Sequence, residues 1–452
     1  MLCLVPIAFW ILISGIDDLF ITLVALLPRR RFPFPSPERL RATPERRIAI
    51  FVPLWREHAV ISRMLARNLE AIRYRNYDIF VGVYPNDVPT LHAVQEQARR
   101  HPRIHIAVCP HEGPTSKGDC LNAIYRRMRE TEARHRTRFR IVVTHDAEDL
   151  VHPDSLALIN CFSRRYAMVQ IPVLPLPTAP GELTHGLYCD EFAEYQCKDI
   201  PVRQALGGFL PSNGVGTGFD RGALEHLADT RHGRPFDPAC LTEDYETGYR
   251  LHALGYPQVF VPLRLDESAP VATREFFPRR LRASISQRTR WVTGIALQGW
   301  QHHGWPLGQV FWFWRDRKGL AGNLISPFAN LLFFYGGVRW AAGVNLAARL
   351  DPGVVAICTL TCGIAAVQTA FRIYAAATVY GWRFAALAPV RVLWGNLVNS
   401  AATAIALWEF FDSRRRGQRL AWRKTDHMYP LAEPAYAAGT AYGTPLARSR
   451  PR

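Results

Sequence analysis

Arg140-Ile141-Val142-Val143-Thr144-His145-Asp146-Ala147-Glu148-Asp149 is the stretch that decides the fold. Arg140 to Thr144 reads as a β-strand, and the acids follow at once. Asp146 therefore stands at a strand's carboxyl end, where open α/β sheets bind their ligands. Asp146 and Glu148 are alternate residues and project to one side. Two hard oxygen donors so placed can share Mg²⁺ or Mn²⁺ with a diphosphate. An exposed acidic turn would account for a lone Asp-x-Glu; its strand-end position and its distant partners weigh against that.

Working back from Arg140, strands alternate with helices. Ile48 to Val52 is a short β-rich run that stops at Pro53, and Ser62 to Arg73 has helical apolar spacing. Asp78 to Val83 and Ile104 to Val108 read as strands. Leu91 to Arg100 and Asp119 to His135 read as helices. The alternation predicts a mixed, mostly parallel sheet with helices on both faces, an α/β domain over residues 46–300. Pro53, Asn86-Asp87, the loop up to Lys117 and Asp146 all fall at strand carboxyl ends. Working forward, Ile171 to Pro180 reads as a linker or extended loop and Tyr188 to Leu206 as a helix. Gly207 to Gly218 suits a close backbone approach to a ligand.

Two further motifs follow in order. Thr242-Glu243-Asp244 opens a helix, Tyr245 to Leu254. A Thr cap with acids in the first turn is ordinary helix chemistry; beside a metal site, Asp244 is a general base for an acceptor hydroxyl and Glu243 orients it. In Gln287-Arg288-Thr289-Arg290-Trp291, spacing of three and four puts Gln287, Arg290 and Trp291 on one helical face. Arg offers a planar fork for phosphate and Trp a flat stacking surface. A membrane-proximal helix explains the neighbouring Arg279, Arg280 and Arg282, but not that particular set. Lys117 suits a phosphate contact, with a solvated loop lysine as the ordinary alternative. Asn86-Asp87 could reach a base or ribose and is also a common turn pair.

The chain has 452 residues and a formal charge of +17. Such a basic excess points to nucleic acid, an anionic membrane or phosphorylated substrates. Apolar segments at both ends favour membrane lipids over nucleic acid. The nine cysteines show no CxxC spacing, which argues against zinc and disulfides and for free thiols. His145 and the other histidines show no metal-ligand spacing. Leu2 to Leu27 is long enough to span a bilayer and reads as an uncleaved anchor, residues 1–28. Pro28-Arg29-Arg30-Arg31 after it places the next domain in the cytoplasm. Asp17 and Asp18 within it are costly in lipid and need partners, with facing water near a helix end as the plain alternative. Residues 301–322, with Phe311 to Trp314 ahead of Arg315 and Arg317, read as interfacial. Within 323–412, Leu324 to Val344 and Val354 to Tyr380 are spanning candidates. If the third, Phe384 to Phe411, also crossed, Arg414 to Arg416 would lie outside, so it is expected to be interfacial or re-entrant. Residues 413–452 are expected to form a cytoplasmic, partly disordered tail.

Taken together, the chain resembles inverting family 2 glycosyltransferases with a GT-A fold, in particular the membrane-bound synthases that make cellulose and hyaluronan. The resemblance rests on Val52-Pro53-Leu54-Trp55-Arg56-Glu57, Asp87, Lys117, Asp146-Ala147-Glu148, Thr242-Glu243-Asp244 and Gln287–Trp291. It implies a nucleotide-sugar donor, UDP-linked, contacted by Pro53, Glu57, Asp87, Lys117, Asp146, Gln287, Arg290 and Trp291. It also implies Mg²⁺ or Mn²⁺ on Asp146 and Glu148, a growing glycan or lipid acceptor, and Gly216-Thr217-Gly218-Phe219 at the acceptor end. Ser14 to Leu19, Tyr84 to Asp87 and Lys424 to His427 further resemble a group of bacterial inner-membrane phage-adsorption proteins. That group is implicated in making a surface glycan exported with an outer-membrane partner. One-step transfer to a lipid carrier, and a non-catalytic membrane scaffold or phage-uptake component, are the alternatives.

Overall fold

The computed structural model describes residues 4–27, 34–263, 270–346, 348, 350–418, 420 and 429. The expected triple arginine 29–31, Lys424 to His427 and most of the tail lie outside them.

The sequence from Ile48 onward forms β1 (Ile48–Pro53), β2 (Tyr77–Val83), β3 (Ile104–Val108), β4 (Ile141–Thr144), β5 (Met168–Gln170), β6 (Val173–Pro175), β7 (Thr217–Asp220), β8 (Gln258–Phe260) and β9 (Thr273–Glu275). Seven of them make one sheet in the order β3-β2-β1-β4-β7-β5-β8. β1 pairs in parallel with β2 and β4, and β2 with β3. β7 is antiparallel to both β4 and β5. The sheet is thus mixed and mostly parallel, as expected, with β7 as the antiparallel member. β6 and β9 form a separate parallel pair.

Burial on both faces explains why the strands are apolar throughout. Ile48, Ile50, Val52, Ile79, Val81, Ile141 and Val143 enter one core layer. Ala49, Phe51, Phe80 and Val142 point the other way into a second. Helices Ile61–Ala71 and Val88–Arg100 cover the first layer, and Lys117–His135 covers the second. Val88–Arg100 starts three residues earlier than expected because Pro89 is tolerated in a first helical turn. Lys117–His135 starts two residues earlier, where Ser116 Oγ accepts from the Asp119 amide at 3.2 Å. The expected linker 171–180 contains β6. The expected helix 188–206 runs from Leu183 to Ala205 and carries a π-turn at Tyr195–Asp199, just before Pro201 withdraws a backbone donor.

Among the described residues, Val5–Leu26 and Pro352–Tyr380 are long and apolar enough to cross a bilayer, and they pack on each other. Gly319–Ala341 is a third long helix with no buried residue; it exposes Phe328, Leu331, Phe333 and Trp340. Ala388–Arg416 is one continuous helix of 29 residues. Its polar groups turn inward: Asn396 Nδ2 donates to Asn330 at 3.2 Å, and Asn399 Oδ1 accepts from Arg288 at 2.7 Å. Arg391, fully buried, makes a fork of 2.6 and 2.8 Å to Asp190. Removing one partner strands a buried charge, so Arg391→Leu should cost about 3–5 kcal/mol. Asp190→Leu/Arg391→Leu together should cost much less, and thermal unfolding in detergent would compare them.

Two segments near the membrane are joined by ion pairs and packing. Asp17 and Asp18 have the partners they need: Arg315 Nη1 lies 3.0 and 3.1 Å from them, and Lys318 Nζ 2.5 and 2.8 Å. Val310–Arg317 packs one side on the α/β domain and leaves Val310 and Phe311 exposed. Trp312 and Phe313 are buried with Ile21, Val202, Phe209 and Tyr245. Arg315 also reaches Asp199 at 2.8 Å. The aromatic–arginine pattern also joins the N-terminal helix to the α/β domain, because half-buried carboxylates form charge-assisted bonds with guanidinium.

Candidate active site

Beyond the carboxyl ends of β1, β2 and β4 lies a cavity of ≈ 680 Å³. Its lining includes Pro53, Glu57, Lys117, Asp146, Glu148, Glu243, Asp244, Gln287, Arg290 and Trp291, so residues from five distant segments converge. Asp87 is not in the lining. Its carboxylate accepts the Arg56 backbone N–H, and Arg56 has φ 56°, so Asp87 holds the loop after β1. Gly216 to Phe219 are also absent from the lining. Thr217 to Phe219 are in β7, between β4 and β5, while Pro211, Ser212, Asn213 and Val215 face the cavity instead.

Asp146 and Lys117 meet at 2.6 Å, and Lys117 Nζ is 4.0 Å from Glu243. The charges of Asp146, Glu243 and Asp244 outweigh burial and keep the lysine protonated far above its ordinary range. Burial pushes Glu243 up to about 7, with the neighbouring Asp244 charge next in size. Asp244 is raised by burial too, against the pull of Lys117 and Arg290. The site thus crowds more carboxylates than Lys117 neutralises.

Glu148 is buried and shares a hydrogen bond with Glu275 at the end of β9. Burial and the charges of Asp149 and Asp146 hold Glu275 well above the carboxylate range. Sequence reasoning missed Glu275, because only the β6–β9 pairing and the Leu150–Arg274 bridge bring it beside the Asp146 loop. It missed Asp149 as well. Asp149 Oδ2 accepts the Asp146 amide at 3.1 Å and lies 2.6 Å from His145 Nδ1. Burial lowers His145 to about 4, so the ring is neutral and donates. Here the signal was present, since the residue three after Asp146 is placed to close a turn.

The helix Leu281–Trp291 divides its residues as spacing predicts. Gln287, Arg290 and Trp291 face the cavity, and Gln287 Oε1 is buried without a hydrogen-bond partner among the described residues. Arg288 faces away, 2.7 Å from Glu191 and stacked 4.3 Å over Tyr188. Trp291 rests against Tyr188, Phe192 and Phe277, which fix its plane. Gly214, at φ +77°, would place a Cβ only 2.6 Å from Asp244 Oδ2. Only glycine fits that close approach. The cavity continues towards the membrane helices along Asp18, Glu194, Tyr195, Trp312, Arg315 and Arg372.

A profile described as Glycosyltransferase like family 2 matches residues 44–294. Bacteriophage adsorption protein B of Escherichia coli (strain K12) is 34% identical over 461 aligned positions, covering 94% of this chain and 62% of that protein. Bacteriophage N4 adsorption protein B of Escherichia coli O157:H7 is similar to the same extent. The chain thus spans about three-fifths of the length of these curated relatives. Among solved structures, a mannosyltransferase from Pyrobaculum calidifontis in complex with GDP-Man and Mn²⁺ superposes with a TM-score of 0.54 at 18% identity, covering 87% of this chain and 99% of that one. That likeness places the α/β domain in the GT-A fold.

Proposed function

The chain belongs to glycosyltransferase family 2, and from that premise we propose that it is an inverting, metal-dependent transferase. In this reading it uses a UDP-linked sugar to build a surface or secreted polysaccharide at the inner membrane, with its catalytic domain in the cytoplasm. The observation that carries the reading is the convergence of Asp146, Glu148, Lys117, Asp244 and Trp291 on one cavity that extends to the membrane helices.

The residues present fit a divalent cation. Asp146 and Glu148, with Glu275 beside them, supply hard oxygen donors where negative charge is in excess. Bound there, Mg²⁺ or Mn²⁺ would neutralise charge developing on the leaving diphosphate. Asp149 and His145 hold the Asp146 backbone for that task. Lys117, Gln287 and Arg290 bind and orient diphosphate oxygens, and Trp291 offers a stacking face for the sugar end. Pro53 and Glu57 shape the nucleotide end, and Asp87 supports it through the Arg56 loop. Asp244 takes the proton of the acceptor hydroxyl as that oxygen attacks the anomeric carbon. Glu243 orients Asp244. A single displacement inverts configuration.

The polar path past Glu194 and Arg372 favours a growing glycan as acceptor over a single transfer to a lipid carrier. Screening purified protein with nucleotide sugars and Mg²⁺ or Mn²⁺ tests the reading. One donor should release UDP and give a polymer whose new linkage is inverted by NMR. Retained configuration would sink the mechanism, and a product of one sugar on a lipid would replace the polymerase by a carrier transferase.

A further inference from the structure

The helix that begins at Glu243 presents a second, separate cluster on the side away from the cavity lining. We propose that Asp237, Cys240, Glu246 and His302 form a transition-metal site suited to Zn²⁺. One ligand atom from each lies within 4.8 Å of the others. None of the four lines the cavity. They come from three segments. Asp237 and Cys240 are on the loop before Thr242, Glu246 is in the first turn of Glu243–Ala253, and His302 is on Gly299–His303 beyond Trp291.

The donor set is thiol, imidazole and two carboxylates, the mixture that borderline ions prefer and that Mg²⁺ or Ca²⁺ does not. Cys240 Sγ is 3.5 Å from His302 Nδ1, and that nitrogen is 3.7 Å from Glu246 Oε2. Zinc bonds of about 2.3 Å to sulfur and about 2.0–2.1 Å to nitrogen or oxygen give tetrahedral edges of about 3.6 and 3.3 Å. Closing the site on an ion therefore needs movements of a few tenths of an ångström on these edges. Cys240 and Glu246 are buried, whereas His302 is exposed and leaves an entry path.

Outer partners of the kind that orient metal ligands are also in place. His303 Nε2 is 2.6 Å from Glu246 Oε2, and Arg250 bonds the other Glu246 oxygen. Asp237 Oδ1 accepts the Ala239 amide at 3.0 Å and Oδ2 faces Arg231 at 2.8 Å, which leaves each oxygen a second lone pair. Arg231 and Arg250 with the dication roughly balance two carboxylates and a thiolate; the thiol proton goes to solvent on binding. The ion would pin the loop before Thr242 to the helix after Trp291. Gln298 already joins the same two segments, accepting from Leu241 at 2.9 Å and donating to Ala239 O at 3.1 Å. The site would thus hold the two catalytic motifs in register from outside the reaction chamber.

Cobalt spectroscopy of the full chain in detergent tests this. Metal-stripped protein titrated with Co²⁺ should show a thiolate-to-cobalt charge-transfer band and the intense visible bands of a tetrahedral site. The band should persist in Asp146→Asn, because Asp146 is not among the four proposed ligands. It should vanish in Cys240→Ala and weaken in His302→Gln, and Cys240→Ala should retain one equivalent less zinc than the parent. A folded parent protein with no thiolate band overturns the proposal. So does a band that survives Cys240→Ala, which would come from an exposed thiol such as Cys197 or Cys362. His302→Gln replaces an exposed side chain, so it reports even where the buried Cys240 substitution impairs folding.

Discussion

Asp244→Asn should lower turnover by about 10²–10⁴-fold, the usual contribution of a positioned general base, while nucleotide affinity stays near that of the parent. Asparagine keeps the shape of the side chain and its hydrogen bond to the Tyr245 amide, 2.8 Å in the parent. What it loses is the ability to take a proton. Isothermal titration with UDP and a coupled assay of UDP release separate the two effects. Turnover close to the parent would remove Asp244 as the base. The pH profile adds a second readout. The Glu243–Asp244 pair is raised by burial, Glu243 to about 7. A base must be deprotonated, so kcat/KM should fall as pH drops, with its acid limb displaced above the ordinary carboxylate range. Glu243→Gln removes the neighbouring charge and should move that limb to lower pH.

Asp146→Asn should cost roughly 10³-fold in turnover, the equivalent of several kcal/mol of lost charge stabilisation. In contrast to Asp244→Asn, it should also weaken nucleotide binding and abolish its dependence on Mg²⁺ or Mn²⁺. The substitution removes a hard oxygen charge and also the 2.6 Å ion pair with Lys117. Lys117 would then lean on Glu243, 4.0 Å away in the parent. Affinity for UDP measured with and without metal checks this. Metal-dependent binding that survives in Asp146→Asn would move the donor cation elsewhere. The two variants thus separate a binding-and-charge role from a proton-transfer role within one cavity.

Much of this architecture was legible from local pattern. The strands at Ile48, Asp78, Ile104 and Arg140 and the helices between them form within one to three residues of their expected bounds. Each apolar run is long enough to declare its own period. The face shared by Gln287, Arg290 and Trp291 followed from helical spacing alone, and the cavity contains all three. Three-residue strands such as β6 and β9 have no period to detect. Their pairing, which delivers Glu275, therefore left no trace in the sequence. The partners of the polar residues within Phe384 to Phe411 were hidden for a related reason. Arg391, Asn396 and Asn399 are satisfied by Asp190, Asn330, Glu191 and Arg288, none of which is nearby in sequence.

By itself the sequence determined the strand–helix order, the strand-end position of Asp146 and the family, because those features are written in contiguous residues. Only the tertiary structure decided that Asp87 braces a loop rather than lining the cavity, that Asp17 and Asp18 answer Arg315 and Lys318, and that Glu275 joins Glu148. It also brings together the residues on which the proposed second metal site rests, which cysteine and histidine spacing does not show. Cys240, Glu246 and His302 lie on separate segments, and a ligand set of that kind exists only once folding has brought the segments together. Periodicity records which face of an element is buried. It does not record which distant residue that face will meet.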